Sequence, residues 1–214
     1  ADFTASNVAS RLSDSGFVTE FDLSSPLGRR RIALGLAGEH NVMNALAAAA
    51  AAHAAGAGIQ AIVDGLTSMR AVTGRLEVRS AHAGARMIDD SYNANPASLR
   101  AGLRALTSIP GRHWLVLGEM RELGPASAQL HAEMGEFARQ TGVARLLAVG
   151  DDAHHAVEAF GTGATWFASV DDMIAALRAE LGPDVTVLVK GSRSNRLERV
   201  SAALASAAAA GTEH

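Results

Sequence analysis

The sequence predicts an α/β protein with a mostly parallel sheet, and three observations carry that expectation. From Arg75 to the end, short apolar runs alternate with helix-patterned stretches; the connections between them are short; and three of the loops that follow apolar runs are unusually polar. Before Arg75 the pattern differs, with an extended hairpin followed by two helices.

In chain order, "GFVTEFDLS" alternates apolar with polar residues, "PLGRR" reads as a turn and "RRIALGL" returns as a second strand. This hairpin is expected at one edge of the sheet. "GEHNVMNALAAAAAAHAAG" places Val42, Leu46 and alanines on helical spacing, with Asn41 as expected N-cap and Gly56 as stop. "IQAIVDGLTSM" predicts a shorter helix, and Thr73-Gly74 marks the expected domain boundary. Beyond it, strands are expected in "RLEVRSA", "ARMIDD", "HWLVLG", "ARLLAVG", "ATWFA" and "VTVLVK". The intervening helices start at Pro96, at Pro125, near Ala153 and at Asp171, and a last one runs to about Ala208.

Composition excludes several function classes. With 214 residues, 48% hydrophobic, the chain can bury one good-sized core or two modest ones. A net charge of -3 argues against a nucleic-acid partner, which needs a clustered positive surplus, and Arg29, Arg30 and Arg31 read as the flank of the hairpin. Without cysteine there are neither disulfides nor thiolate metal sites, in keeping with a reducing compartment. "ADFTASNVAS" has neither the basic start nor the apolar core of a secretory signal, and the alanine run from Ala45 to Gly58 is too short and too weakly hydrophobic to span a bilayer. A soluble, cytoplasmic protein without membrane insertion is expected.

In a parallel α/β sheet the strand-to-helix loops emerge at the carboxyl ends of the strands, so distant polar residues converge there. Three loops are unusually polar. In "DDSYNAN", Asn95 followed by Pro96 suits an N-cap with a first-turn proline, but Asp89, Asp90, Tyr92 and Asn93 are not needed for any cap. "GEMRELGP" offers Glu119 and Glu122 for a metal or a hydroxyl, though acidic residues near a helix start also suit its dipole; Leu130, Met134 and Phe137 form the expected apolar face of the next helix, and His131 its polar face. "KGSRS" combines Lys190, the only lysine of the chain, with two serines and Arg193 in an expected anion-binding loop at a helix start. It is not a P-loop: GxxxxGK[ST] occurs nowhere. "DDAHH" (Asp151 to His155) has metal-ligand residue types but lies where aspartates cap helices, and no metal site is expected there.

Taken together and in this order, "GEHNVMNALAAAAAAHAAG", "VTGRLEV", "IDDSYNANPASL", "LGEMRELGPASAQLH" and "VLVKGSRSNRLERV" resemble the C-terminal half of the Mur ligases. "DDSYNANP" and "LGEMRELG…H" look like the branch that joins D-alanyl-D-alanine to UDP-N-acetylmuramoyl-tripeptide in peptidoglycan synthesis. The resemblance implies a Rossmann-like C-terminal domain (residues 74–214) preceded by the tail of a P-loop ATPase-type central domain (residues 1–73). It implies ATP and Mg2+ as cofactors, phosphorylation of the peptide carboxylate to an acyl phosphate, and attack by the dipeptide amine. It places His40, Asn41 and Asn44 at the adenine side of the nucleotide, Arg75 at its phosphates, and Asp90 at its ribose with Tyr92, Asn93 and Asn95 around it. Lys190, Ser192 and Arg193 fall where related ligases grip the incoming amino acid, here the dipeptide carboxylate.

Nothing in the chain corresponds to the family's first domain, its P-loop or its magnesium ligands, so no complete catalytic set and no metal site is expected. The 214 residues are expected to be inactive alone, as a piece of a longer ligase. Two other readings stand beside this one: a different Mur-type or folylpolyglutamate-type amino acid ligase, and a nucleotide-binding module without catalysis.

Overall fold

The computed structural model describes residues 2–13 and 16–205, which fall into two compact units, Ala1–Val72 and one from Thr73 onward. The tail beyond Ala205, expected to continue the last helix, lies outside the described residues.

The first unit holds an antiparallel sheet of β1 (Thr4–Ser13), β2 (Gly16–Ser25) and β3 (Gly28–Leu34), then helices α1 (Glu39–Ala54) and α2 (Ile59–Ser68). Alternation in β2 and β3 turns Phe21, Leu23, Ile32 and Leu34 onto Val42, Ala45, Leu46 and Ala49 of α1 and Ile62 and Leu66 of α2. The expected hairpin is therefore real but is not an edge of the parallel sheet; it belongs to this separate three-stranded sheet. The sequence does not mark β1 as a partner because its side chains are mostly exposed, and a register shift between Ser6 and Ala9, with Asn7 at φ 53, breaks its alternation. Asn41 is not the N-cap of α1. Gly38 holds that position at φ 88, while the Asn41 amide donates to the Ala37 carbonyl at 2.8 Å. Gly56, at φ 90, does stop α1: its N–H bonds the His53 carbonyl and the Ala57 N–H bonds that of Ala52, a Schellman closure.

The second unit is a six-stranded sheet in the order β4 (Glu77–Ser80), β5 (Arg86–Asp90), β9 (Val185–Lys190), β6 (Arg112–Gly118), β7 (Arg145–Val149), β8 (Ala164–Phe167). Every pairing is parallel except β4 with β5. The intervening helices are α3 (Pro96–Thr107), α4 (Ser127–Gln140), α5 (Ala153–Phe160), α6 (Val170–Glu180) and α7 (Glu198–Leu204). On one face Met87, Trp114, Val116, Val187 and Val189 pack against Met173 and Leu177 of α6 and Val200 and Leu204 of α7. The alternate residues of the strands face α3, whose Leu99, Leu103 and Leu106 are fully buried, each worth about 1.5–3 kcal/mol. Pro125 lies in a 3-10 turn that precedes α4, and Arg193–Asn195 form another before α7. Among the described residues no helix is long and apolar enough to cross a membrane.

This topology matters for function because β9, last in sequence, inserts between β5 and β6. The three polar loops, which follow β5, β6 and β9, thus leave three adjacent strands at their carboxyl ends.

Candidate functional site

At the end of β5, Asp90 is the register partner of Lys190 at the end of β9, which sets their side chains on one face of the sheet. The Lys190 ammonium donates to Asp90 Oδ2 at 2.5 Å and to the Asn93 carbonyl at 3.0 Å. Asp90 Oδ1 accepts from the Leu76 N–H at 3.2 Å, and the Tyr92 N–H donates to the Gly74 carbonyl at 3.0 Å. Burial pushes the Asp90 carboxyl above its ordinary 3.8, and the Lys190 ammonium and the Leu76 N–H act in the opposite direction. Above this pair, the Tyr92 ring, 44% exposed, carries the Arg75 guanidinium 4.3 Å from its centroid and that of Arg193 at 5.5 Å. Neither guanidinium has a carboxylate partner among the described residues. Such an arrangement suits anionic oxygens, and the Asp90 carboxylate keeps acceptor capacity for hydroxyls.

The neighbouring loops after β6 and β9 are braced to each other. Asn195 accepts from the Glu119 N–H at 3.2 Å and donates to the Glu119 and Ser192 carbonyls at 2.8 and 3.0 Å. Ser192 Oγ accepts from the Arg121 N–H at 2.8 Å. A Cβ on Gly191 would lie 2.9 Å from Gly118 Cα, so the two loops approach as only glycines allow. His131 is not on the polar face of α4 but fully buried: its Nε2 accepts from the Met120 N–H at 2.9 Å, and Nδ1, 2.8 Å from the Ser127 carbonyl, donates there. These bonds fix the neutral imidazole with its proton on Nδ1. The buried residues of α4 are His131, Met134, Gly135 and Ala138, and Leu130 and Phe137 are half-buried at the margin.

The structure therefore divides the expected site residues. Asp90, Asn93 and Lys190 meet in one hydrogen-bonded group, and Arg75, Tyr92 and Arg193 in an exposed stack next to it. In the expected anion-binding loop, the N–H groups of Ser192, Asn195 and Arg196 donate to carbonyls of the protein, Lys190 is 1% exposed, and Ser192 is buried. Of the three residues expected at the dipeptide, only Arg193 faces solvent. Asn95 caps α3 in a reciprocal bond with Ser98, its Oδ1 accepting from the Ser98 N–H at 2.8 Å. His40 and Asn44 are exposed in the first two turns of α1 in the first unit, Asn44 bonding Asn41 at 3.4 Å. Among the described residues no group of three or more His, Asp or Glu side chains is placed to hold a metal.

The family model for the Mur ligase, glutamate ligase domain, matches residues 74–193. The chain belongs to the Mur ligase family. This Mur ligase chain is 41% identical over 206 residues to the UDP-N-acetylmuramoyl-tripeptide–D-alanyl-D-alanine ligase of Escherichia coli K12, covering 95% of itself and 44% of that protein. It is 39% identical over 210 residues to the ligase of the same name from Mycobacterium tuberculosis CDC 1551, covering 86% of itself and 41% of that protein. A crystal structure of MurF from Acinetobacter baumannii superposes with a TM-score of 0.83 at 33% identity, over 94% of this chain and 45% of the other. The chain thus spans less than half the length of these relatives, and the expected α/β fold with a mostly parallel sheet is the one that superposes on the Acinetobacter baumannii structure. Sequence reasoning missed Asn195 and the burial of His131. The available signals were an asparagine just after a glycine-serine loop and a histidine at the end of the "LGEMRELG…H" stretch.

Proposed function

We propose that this chain is the C-terminal part of an ATP-dependent ligase that joins D-alanyl-D-alanine to UDP-N-acetylmuramoyl-tripeptide through an acyl phosphate, in cytoplasmic peptidoglycan synthesis. On this reading residues 1–73 are the tail of the ATP-binding central domain and 74–214 the Rossmann-like C-terminal domain. The observation that carries it is the pair of guanidiniums, Arg75 and Arg193, without a carboxylate partner among the described residues and stacked on Tyr92 next to a carboxylate with acceptor capacity to spare. The arginines donate to phosphate or carboxylate oxygens, Asp90 accepts from ribose hydroxyls, and His40, Asn41 and Asn44 serve the adenine side. Asn93 and Asn95 shape the loop that carries Tyr92, through the Lys190 contact and the α3 cap. Bound ATP supplies the phosphoryl group that activates the peptide carboxylate, and magnesium is held by groups outside these residues. These 214 residues alone are not expected to turn over, since they contain no phosphate-binding P-loop.

The test is release of inorganic phosphate from ATP by the longer protein that carries this sequence, given UDP-N-acetylmuramoyl-tripeptide and Mg2+. Release that depends on D-alanyl-D-alanine is expected. Dependence on a single amino acid instead assigns a different Mur-type or folylpolyglutamate-type ligase, and nucleotide binding without release under any acceptor assigns a non-catalytic module.

A further inference from the structure

Lys190 is the only lysine in a chain whose other fixed cations are all arginine, and it is among the most deeply buried side chains. An ammonium withdrawn from water is strongly destabilising unless it is paired and hydrogen-bonded. Here the pairing is internal: two of its three protons go to Asp90 Oδ2 and the Asn93 carbonyl. A ligand that drew the ammonium away would leave the Asp90 carboxylate partly buried without its counter-ion.

The pair joins three segments. Asp90 holds the Leu76 N–H next to Arg75, Lys190 holds the Asn93 carbonyl one residue after Tyr92, and Lys190 itself lies three residues before Arg193. These are the three segments whose exposed side chains form the Arg75–Tyr92–Arg193 stack. Space is also limited: a Cβ on Gly102 of α3 would lie 3.1 Å from Leu188 Cδ2 and 3.7 Å from Asp90 Oδ2, so α3 closes directly over the carboxylate. A compact ammonium suits such a slot where a broad planar guanidinium does not, which gives a physical reason for the one lysine.

We propose that Lys190 is a positioning residue that acts through Asp90 and the Asn93 carbonyl to hold Arg75, Tyr92 and Arg193 in register, and does not itself contact the dipeptide. The nature of the ligand rests on the function proposed above; the internal role of Lys190 does not. Lys190→Met is expected to disturb the nucleotide side of the site, and Lys190→Arg not to rescue it.

Because the chain has one lysine, an amine-acylating reagent such as N-hydroxysuccinimidyl acetate has two amine targets, the chain terminus and Lys190. Intact mass should show one fast acetylation in the native chain, with the second slowed at least about 100-fold until guanidinium is added. Two fast acetylations in the native chain overturn the proposal. Coupling is read from the melting temperatures of Lys190→Met, Asp90→Asn and the double variant. Removing one charge strands the other, so the double variant should recover most of the loss of Lys190→Met, whereas additive losses overturn the proposal. This readout survives a poorly folding single variant, because the double variant is the informative one.

The kinetic readout separates positioning from contact. In the longer ligase, Lys190→Met should raise KM for ATP about 10-fold, through Arg75 and Asp90, and change KM for D-alanyl-D-alanine less, since only Arg193 transmits the loss to that side. The reverse pattern overturns the proposal. If the wild-type ligase uses neither substrate, the proposed function fails, while the acetylation and coupling results still decide the role of Lys190.

Discussion

At the scale of single residues, the polar side chains at the carboxyl edge divide into those that face solvent and those that hold the loops. Asn195 belongs to the second group. Its three hydrogen bonds close the loop after β6 onto the loop after β9, and a Cβ on Gly118 would lie only 2.9 Å from its Cγ. Asn195→Ala should cost about 1–3 kcal/mol, because Glu119 and Ser192 backbone groups lose their partners in a part-buried place. Urea unfolding followed by tryptophan fluorescence measures this, since Trp114 and Trp166 both lie in the second unit. A midpoint unchanged from wild type would show that water replaces the side chain without loss.

At the scale of elements, close approach decides the sign of a substitution. Gly135 of α4 faces α5, and a Cβ there would lie 2.1 Å from the Ala156 carbonyl oxygen. Gly135→Ala should therefore destabilise by about 1–3 kcal/mol, although the same change in an open helix gains about 1 kcal/mol. Gly65 of α2 is the control: nothing lies within 4 Å of its would-be Cβ, so Gly65→Ala should raise the thermal midpoint seen by circular dichroism. Equal effects at the two sites would mean that the contact between α4 and α5 yields freely.

At the scale of the whole molecule, the shifted carboxyl groups of the two units respond to acid with opposite signs. In the first, Arg11 and Arg31 hold the Glu20 carboxyl below its ordinary 4.5, and Asn7 and Arg31 hold that of Asp22 below 3.8. The stability these carboxylates contribute is present above those ordinary values and is lost as pH falls through the depressed folded ones. In the second unit the folded value of Asp90 is raised, so its contribution is fully present below 3.8 and is lost as pH rises through that folded value. On acidification, far-UV circular dichroism should therefore change before tryptophan fluorescence, which reports the second unit alone. Salt at about 1 M should shrink the interval, because the pairs of the first unit are exposed. Fluorescence changing first would contradict this assignment.

The sequence by itself determined the class of the fold, most element positions and the family, because those depend on local signals. Alternation marks β2, glycine stops α1, Asn95-Pro96 starts α3, and five ordered motifs name the relatives. It also located the three polar loops. What it could not supply was pairing. The exposed, bulged β1 carries no apolar alternation to announce a third strand, and nothing local says that β9 inserts between β5 and β6. That insertion makes Asp90 and Lys190 register partners and gives the buried lysine its counter-ion. Likewise, the packing of α4 buries His131, and only there does a loop N–H need its imidazole. Side-chain type was legible along the chain, but which side chains face water and which hold others was decided by contacts between residues as many as 100 positions apart.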